Sequence, residues 1–455
     1  MSILSQIGYS GVRASQLAMT STSQNIANVN TPGFSRLSPE LRSVAGLSGS
    51  NIGSGVQVTS IRRLANEFQT QQLWRATTEQ NYFSTTQQYL TSLEGLLAAE
   101  GSSISVGLDN FFAALSEASS TPESSALRQQ ILGEAKQLAQ RFNGLNGNIG
   151  TQIIALQGQR TAMVSEMNGL AGNIAVLNKQ ITELESTGSD TATLRDYREN
   201  LVKDLSQYAG IRVQEMADGS LSVSLANGQP LVAGGTAGEL RIENTLDGRQ
   251  DVSLVFAKTT FPLVQDGLGG SLGGLHDAEY GDLRPAQAEL HEMASALSQM
   301  VNETLAGGFD LDGNPGQPLF VYDPDSTSGM LGVSALKPSE LAFSSVAGEV
   351  GNNETLLGLL EVKNRRIEVG GNQVALNEGY AGLVGRVASG SRQNQADLAA
   401  ATTLTQQAQA QRDSVSAVNL DEEAVNLMAY QQAYQANLKV ISTSNDLFSA
   451  VLAMF

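Results

Sequence analysis

Only two histidines occur in the chain, His276 and His291, and neither stands in a pattern that binds a metal or moves a proton. His291-Glu292 opens like the zinc-binding helix of a metalloprotease, which needs two His one turn apart, but Ser295 fills the second His position. Asp310, Asp312 and Asn314 begin like a calcium loop. Pro315 then stands where that loop turns on Gly, and Val321 where it closes on a bidentate Glu, so an ordinary Asp/Gly turn is expected. The glycines of residues 267–274 fit neither a phosphate-cradling loop nor a dinucleotide fingerprint, and they read as a flexible loop. Carboxylates are plentiful, yet no pair is singled out by spacing for acid/base work. The absence of cysteine removes thiol catalysis, thiolate metal sites and disulfides. The expectation is a protein that is not an enzyme and that needs no metal and no cofactor.

The elements around these residues carry the stronger signals. The 455 residues suffice for about three ordinary domains. Charged residues make up only 16% of them, and uncharged Gln, Asn, Ser and Thr fill the gap. A formal net charge of −18 argues against broad contact with nucleic acid or an anionic membrane, both of which need basic patches. No apolar run approaches the roughly 20 residues that span a bilayer, so no membrane insertion is expected. The first 30 residues are not a cleavable signal peptide, because polar residues interrupt every apolar stretch.

Both ends carry heptads. Leu4, Ile7, Gly11, Ala14, Ala18 and Ser21 follow alternating steps of three and four, the spacing of a coiled-coil seam, here lined by small residues. Ala424, Leu427, Gln431, Tyr434, Leu438, Ile441, Asn445, Phe448, Leu452 and Phe455 keep the same rhythm, with only Lys439 and Asp446 charged in that stretch. A helix so sparsely charged all round expects partners on more than one side. Asn28 can close the N-terminal helix in a left-handed conformation, and Thr31-Pro32-Gly33-Phe34 reads as a type II turn. Without partners, both ends are expected to be unstructured in the free chain, since ordering them costs about what their burial returns.

Between the ends, helix is expected from about Leu64, where Phe83, Leu90, Leu93 and Leu97 form a stripe. Thr121-Pro122-Glu123 reads as the start of a long helix whose apolar stripe runs from Leu127 to Leu184. Its glycines predict a break near residues 144–150. The period changes at Ile211: Ile211 and Val213, then Leu221, Val223 and Leu225, read as strands joined at Asp218-Gly219, with Asn227-Gly228 as the next turn. A strand at Val252–Phe256, a helix from about Pro285 to Leu305, a loop-rich region at 307–370 and a helix from about Leu376 to Val418 complete the chain. The predicted fold is mainly α with a β-rich insertion. Its domains are a terminal coiled-coil assembly domain (1–60 and 418–455), a helical body (61–210 and 371–417) and a mixed β-rich insertion (211–370). Residues 307–370 carry neither seam nor signature, and they are expected to be partly dispensable for assembly.

The segment Asn25-Ile26-Ala27-Asn28-Val29-Asn30-Thr31-Pro32-Gly33-Phe34 resembles the N-terminal signature shared by flagellar rod, hook and hook-associated proteins. Val418-Asn419-Leu420-Asp421-Glu422-Glu423-Ala424-Val425-Asn426-Leu427 and Tyr430-Gln431-Gln432-Ala433-Tyr434-Gln435-Ala436-Asn437 are similar to that family's C-terminal signature. The body resembles the members at the hook–filament junction in Gly107-Leu108-Asp109-Asn110-Phe111-Phe112, in Leu201 through Leu231 and in Met293 to Gly316. Residues 320–370 are short for those members, which implies a reduced or absent outer domain. The resemblance implies a structural subunit of the extracellular flagellum, stacked between hook and filament. It implies self-assembly into a ring or helical array and contact with hook protein and a filament-side junction protein. It also implies type III export on an uncleaved N-terminal signal, with a cytosolic chaperone on the C-terminal helix. The heptads at the two ends give the expected assembly seam: Leu4, Ile7, Ala14, Ala18, Leu427, Tyr434, Leu438, Ile441, Phe448 and Leu452. Another axial protein, hook or distal rod, is the alternative, and a hook protein would show a mainly β interior directly after its first helix.

Overall fold

The computed structural model describes residues 3–45 and 53–454. Phe455, the last position of the C-terminal heptad, lies outside them. Helix α1 (Ile3–Ala27) leads into an antiparallel hairpin of β1 (Leu37–Val44) and β2 (Gly55–Arg63). Four helices follow, α2 (Glu67–Ala98), α3 (Ile104–Ala118), α4 (Ser125–Ser186) and α5 (Ala192–Tyr208). Strands β3 (Ile211–Glu215), β4 (Leu221–Leu225), β5 (Pro230–Ala233) and β6 (Thr236–Ala237) form one antiparallel sheet in that order. A second contains β7 (Glu239–Asn244), β8 (Gln250–Phe256) and β9 (Thr259–Pro262). Then come α6 (Gly270–Asp277), a π-helical turn at Ala278–Leu283 and α7 (Arg284–Ala306). The small hairpin of β10 (Phe320–Tyr322) and β11 (Leu331–Val333), α8 (Glu354–Glu361), and the hairpin of β12 (Ile367–Val369) and β13 (Asn372–Val374) precede α9 (Leu376–Ser416) and α10 (Leu420–Leu452). The fold is mainly α with a β-containing middle, as the periodicities predict.

Two compact units divide the chain. One comprises Met1–Gln80, Val164–Gly270 and Ala401–Phe455, the other Asn81–Met163 and Ser271–Ala400. The second unit has a continuous apolar core. Leu93, Leu97, Leu108, Phe111, Ile131, Leu138, Phe142, Leu290, Leu297 and Val301 are all buried in it. Phe111 meets Phe112 and Phe320 edge to face, at 5.5 and 5.8 Å between ring centroids. A buried carboxylate lies inside this unit: Glu279, on the π-helical turn, accepts from Arg160 Nη2 at 2.7 Å and from Arg284 Nη2 at 2.8 Å.

Several expectations are corrected here. α4 runs unbroken for 62 residues. Gly144 and Gly147 face open space, while Leu145 and Ile149 anchor the opposite side in the core, so packing outweighs the roughly 1 kcal/mol that each glycine costs. The helix starts at Ser125, because Thr121–Ser124 closes a turn of its own and Ser124 Oγ accepts from the Leu127 amide. Residues 267–274 are loop only as far as Gly269. Gly270 (φ +60°) lies so close to the Tyr208 backbone that no side chain fits there, and α6 begins at that point. Residues 307–370, loop-rich as expected, contribute Phe320, Phe343, Leu356, Leu359 and Ile367 to the core of the second unit.

Candidate assembly site

The two motifs singled out at the chain ends meet in the first unit. Asn25, 1% exposed near the end of α1, pairs with β1 as another strand would: its Nδ2 donates to the Leu37 carbonyl and its Oδ1 accepts from the Leu37 amide, both at 2.9 Å. Asn28 closes α1 without entering the left-handed region. Its side-chain amide donates to the Gln24 carbonyl at 2.9 Å, and its own carbonyl accepts from the Thr31 amide. The turn that follows is the one predicted, with the Phe34 amide donating to the Thr31 carbonyl at 3.2 Å and Gly33 at φ +76°. A Cβ on Gly33 would collide with the side chain of Asn200 on α5. Ile26 is half-buried, whereas Ala27 and Pro32 lie on the surface.

The turn is held from below by charged groups that no heptad pattern reveals. Arg412 of α9, nearly buried, donates to the Gly33 carbonyl at 3.1 Å, to Ser35 Oγ at 3.4 Å and to Glu199 at 3.5 Å. The Ser35 amide donates to Asp196, and Arg63 pairs with both Asp196 and Glu199. Burial works against the Arg63 charge, but the two carboxylates outweigh it and hold the guanidinium more firmly protonated than usual. Arg36 carries the link to the other motif. Its amide donates to the Ser416 carbonyl at 2.8 Å, and its guanidinium pairs with Glu422. Asn419 caps α10 by accepting from the amides of Asp421 at 3.0 Å and Glu422 at 3.5 Å. Glu423 is buried, Asn426 and Leu427 are half-buried, and Leu420 is exposed. The sequence signal for Arg36, Arg63, Asp196, Glu199 and Arg412 was only their rarity in a chain this poor in charge.

α1 and α10 pair within one chain, running antiparallel, so the ends expected to be unstructured in the free chain are helices that partner each other. Ser5 and Ser444 hydrogen bond at 2.8 Å through their hydroxyls. Further along, a Cβ on Gly8 would come within 2.8 Å of Ile441 Cγ1, and one on Gly11 would overlap the Asn437 amide. The face that α10 turns inward thus includes Asn437, Ile441 and Ser444. In α1 the buried positions are small, with Gly8, Gly11, Ala14 and Ala18 among them, while Ile7 is half-buried and Leu4 exposed. Leu427, Tyr434 and Ile441 are half-buried, but Leu438, Phe448 and Leu452 are 44%, 61% and 60% exposed. The seam residues thus differ in cover: Tyr434 and Ile441 are partly shielded, whereas Phe448 and Leu452 lie past the level at which Ser5 meets Ser444.

The residues weighed for chemistry serve structure. His291 holds Tyr322 and Asn146 through its two ring nitrogens, and burial lowers its pKa. Asp310 ties its own loop, accepting from the Asp312 amide at 2.9 Å and the Asn314 amide at 2.7 Å.

The family described as flagellar hook-associated protein FlgK helical domain matches residues 90–320, and the one described as flagellar basal body rod FlgEFG protein C-terminal matches residues 409–454. "Flagellar hook-associated protein 1" of Salmonella typhimurium is 27% identical over 99% of this chain and 100% of that protein. Its counterpart in Escherichia coli is 26% identical over the same shares, and that of Bacillus subtilis 24% identical over 96% and 95%. Among solved structures, the flagellar hook junction protein FlgK from Burkholderia pseudomallei matches with a TM-score of 0.69 at 18% identity, over 76% of this chain and 100% of that one.

Proposed function

The chain belongs to the FlgK family of flagellar hook-associated proteins, and on that premise we propose that it is a structural, non-enzymatic subunit of the external flagellum, stacked between hook and filament and assembled through its paired terminal helices. One observation carries the assembly half of this reading. The α1/α10 pair turns small and polar groups inward and leaves Leu438, Leu447, Phe448, Val451 and Leu452 exposed on α10. Large apolar side chains exposed on more than one side of a helix already paired with α1 are what neighbouring subunits would cover. Contacts of this kind between identical chains are heterologous and generate rings or helical arrays. The helical stretch that follows β2 supports a place at the junction over a hook subunit.

The partners in this reading are copies of the chain itself, hook protein on one side and a filament-side junction protein on the other. A cytosolic chaperone covers the apolar face of α10 before export through the type III apparatus. Electron microscopy of a deletion strain tests the reading. Hooks without filaments, restored by the intact gene, are expected, whereas normal filaments in the deletion strain would refute it.

A further inference from the structure

A cavity of about 470 Å³ opens in the first unit between the start of α2, the start of α5 and the β3–β4 sheet. Its size suits a small ligand, and Ile61, Trp74, Val213 and Leu221 give it an apolar lining. Arg198 is 2% exposed and lines the same cavity. Its Nη1 donates to Asn178 Oδ1 and to the Gly219 carbonyl, both at 2.8 Å. Its Nε is buried and meets no acceptor among the described residues.

A guanidinium so deeply buried ordinarily has its fork filled, because an unmet donor away from water is costly. No neighbouring carboxylate is free to fill it. Glu199 is taken by Arg63 and Arg412, and Glu215 by Arg195. Asp190 accepts from the Ala192 amide at the start of α5, and Glu67 sits exposed on the rim, bonded to Gln71. Burial, and next the nearby charge of Arg195, lower the Arg198 pKa to about 10, the mark of a cation short of a counter-charge. Arg62, exposed at the rim, adds a second positive group that forms no ion pair among the described residues.

We propose that this cavity is a binding site for a carboxylate with a small apolar body, the carboxylate seated on the open edge of Arg198 and the body against Trp74. The carboxylate comes either from a free small acid or from an acidic side chain of a second copy of the chain. The site does not depend on where the protein sits in the flagellum, so its failure would leave the proposed function standing.

Trp74 is the only tryptophan, which makes it a built-in reporter. The full chain is titrated with butyrate, with butyramide and with inorganic phosphate while Trp74 fluorescence is read. A saturable change with butyrate alone is expected. Arg198→Lys keeps a positive charge but removes the fork, and it should weaken the response at least tenfold. Ala65→Phe narrows the exposed rim without touching Arg198, and it should weaken the response similarly in a chain whose melting is unchanged. If the occupant is a second copy, the same fluorescence change appears on raising protein concentration alone, and butyrate competes it away. No saturable change in either arm overturns the proposal. So does a response to butyramide or phosphate equal to that of butyrate.

Discussion

Two substitutions one turn apart on α10 separate folding from assembly. Leu438 is 44% exposed in the single chain, whereas Ile441 packs where Gly8 brings the α1 backbone close. Full burial of a leucine is worth about 1.5–3 kcal/mol, so the roughly half-covered Leu438 accounts for about 1 kcal/mol. The lower helix propensity of Asp adds at most about 0.7 kcal/mol. Leu438→Asp should therefore cost the free chain about 1–2 kcal/mol, confined to the α1/α10 pair of the first unit, and leave the melting of the second unit unchanged. Ile441→Asp puts a carboxylate against the closest approach of the two helices and should part them. Amide hydrogen exchange of the purified chain reads the difference, with α1 protected in Leu438→Asp and unprotected in Ile441→Asp. On the proposed assembly, a neighbouring subunit covers the Leu438 position in the flagellum. There the buried carboxylate costs several kcal/mol in every subunit, and cells should carry bald hooks. Normal filaments in the Leu438→Asp strain would refute the reasoning. So would a fall in α1 protection as large as that of Ile441→Asp, since Leu438 would then belong to the internal seam.

Asn25→Asp keeps the shape of the side chain but removes the donor to the Leu37 carbonyl, and it should destabilise the first unit by about 1–3 kcal/mol in denaturant melts. Phe111→Ala empties the centre of the second unit, and it should cost about 3–5 kcal/mol while leaving hydrogen exchange in α1 and α10 unchanged. Replacing residues 307–370 with a short Gly/Ser linker should abolish cooperative melting of that same unit, as judged by calorimetry. Burial, and next the charge of Asp277, raise the Asp282 pKa from 3.8 to about 6, so the folded chain holds a proton there that the unfolded chain has released. Stability should fall as pH rises from about 4 to 6 and then level off. Asp282→Asn should flatten that slope and raise the melting temperature at pH 7.

The helices were legible because their apolar stripes are long. α4 shows its stripe from Leu127 through Ile181, and the heptads at the ends announce α1 and α10. The Pro-Gly turn at residues 31–34 was legible because only one turn type suits that pair. What the heptads did not reveal is which face of α10 turns inward. Apolar character pointed to Leu438 and Phe448, but the α1 face is built from Gly8, Gly11 and Ala14, and such a face selects close approach over apolarity. Asn437, Ile441 and Ser444 fit against it, and Leu438 is left exposed. The ion pairs beneath the signature turn were illegible for another reason. Arg63 and Asp196 lie far apart in sequence, and nothing in either neighbourhood marks the pairing.

Five asparagines among the many uncharged polar residues share one device. Asn168 and Asn178 on α4 each donate Nδ2 to a strand carbonyl and accept that residue's amide on Oδ1, at Leu240 and Leu221 respectively. Asn143 does the same for Leu331, and Asn302 for Phe320, as Asn25 does for Leu37. A carboxamide carries the same donor and acceptor as a peptide group, so Asn25, Asn143, Asn168 and Asn302 each meet an edge strand without a further strand, while Asn178 meets the first residue of β4, which lies between β3 and β5. The device needs no charge, so it brings no ion-desolvation penalty and does not weaken as salt rises. Joining helix to strand through Asn also leaves apolar side chains free for other work. In the second unit that work is the core. On α10, where only Glu423 and Ser444 are buried, many of them stay exposed, and under the proposed function these are the side chains that meet a neighbouring subunit.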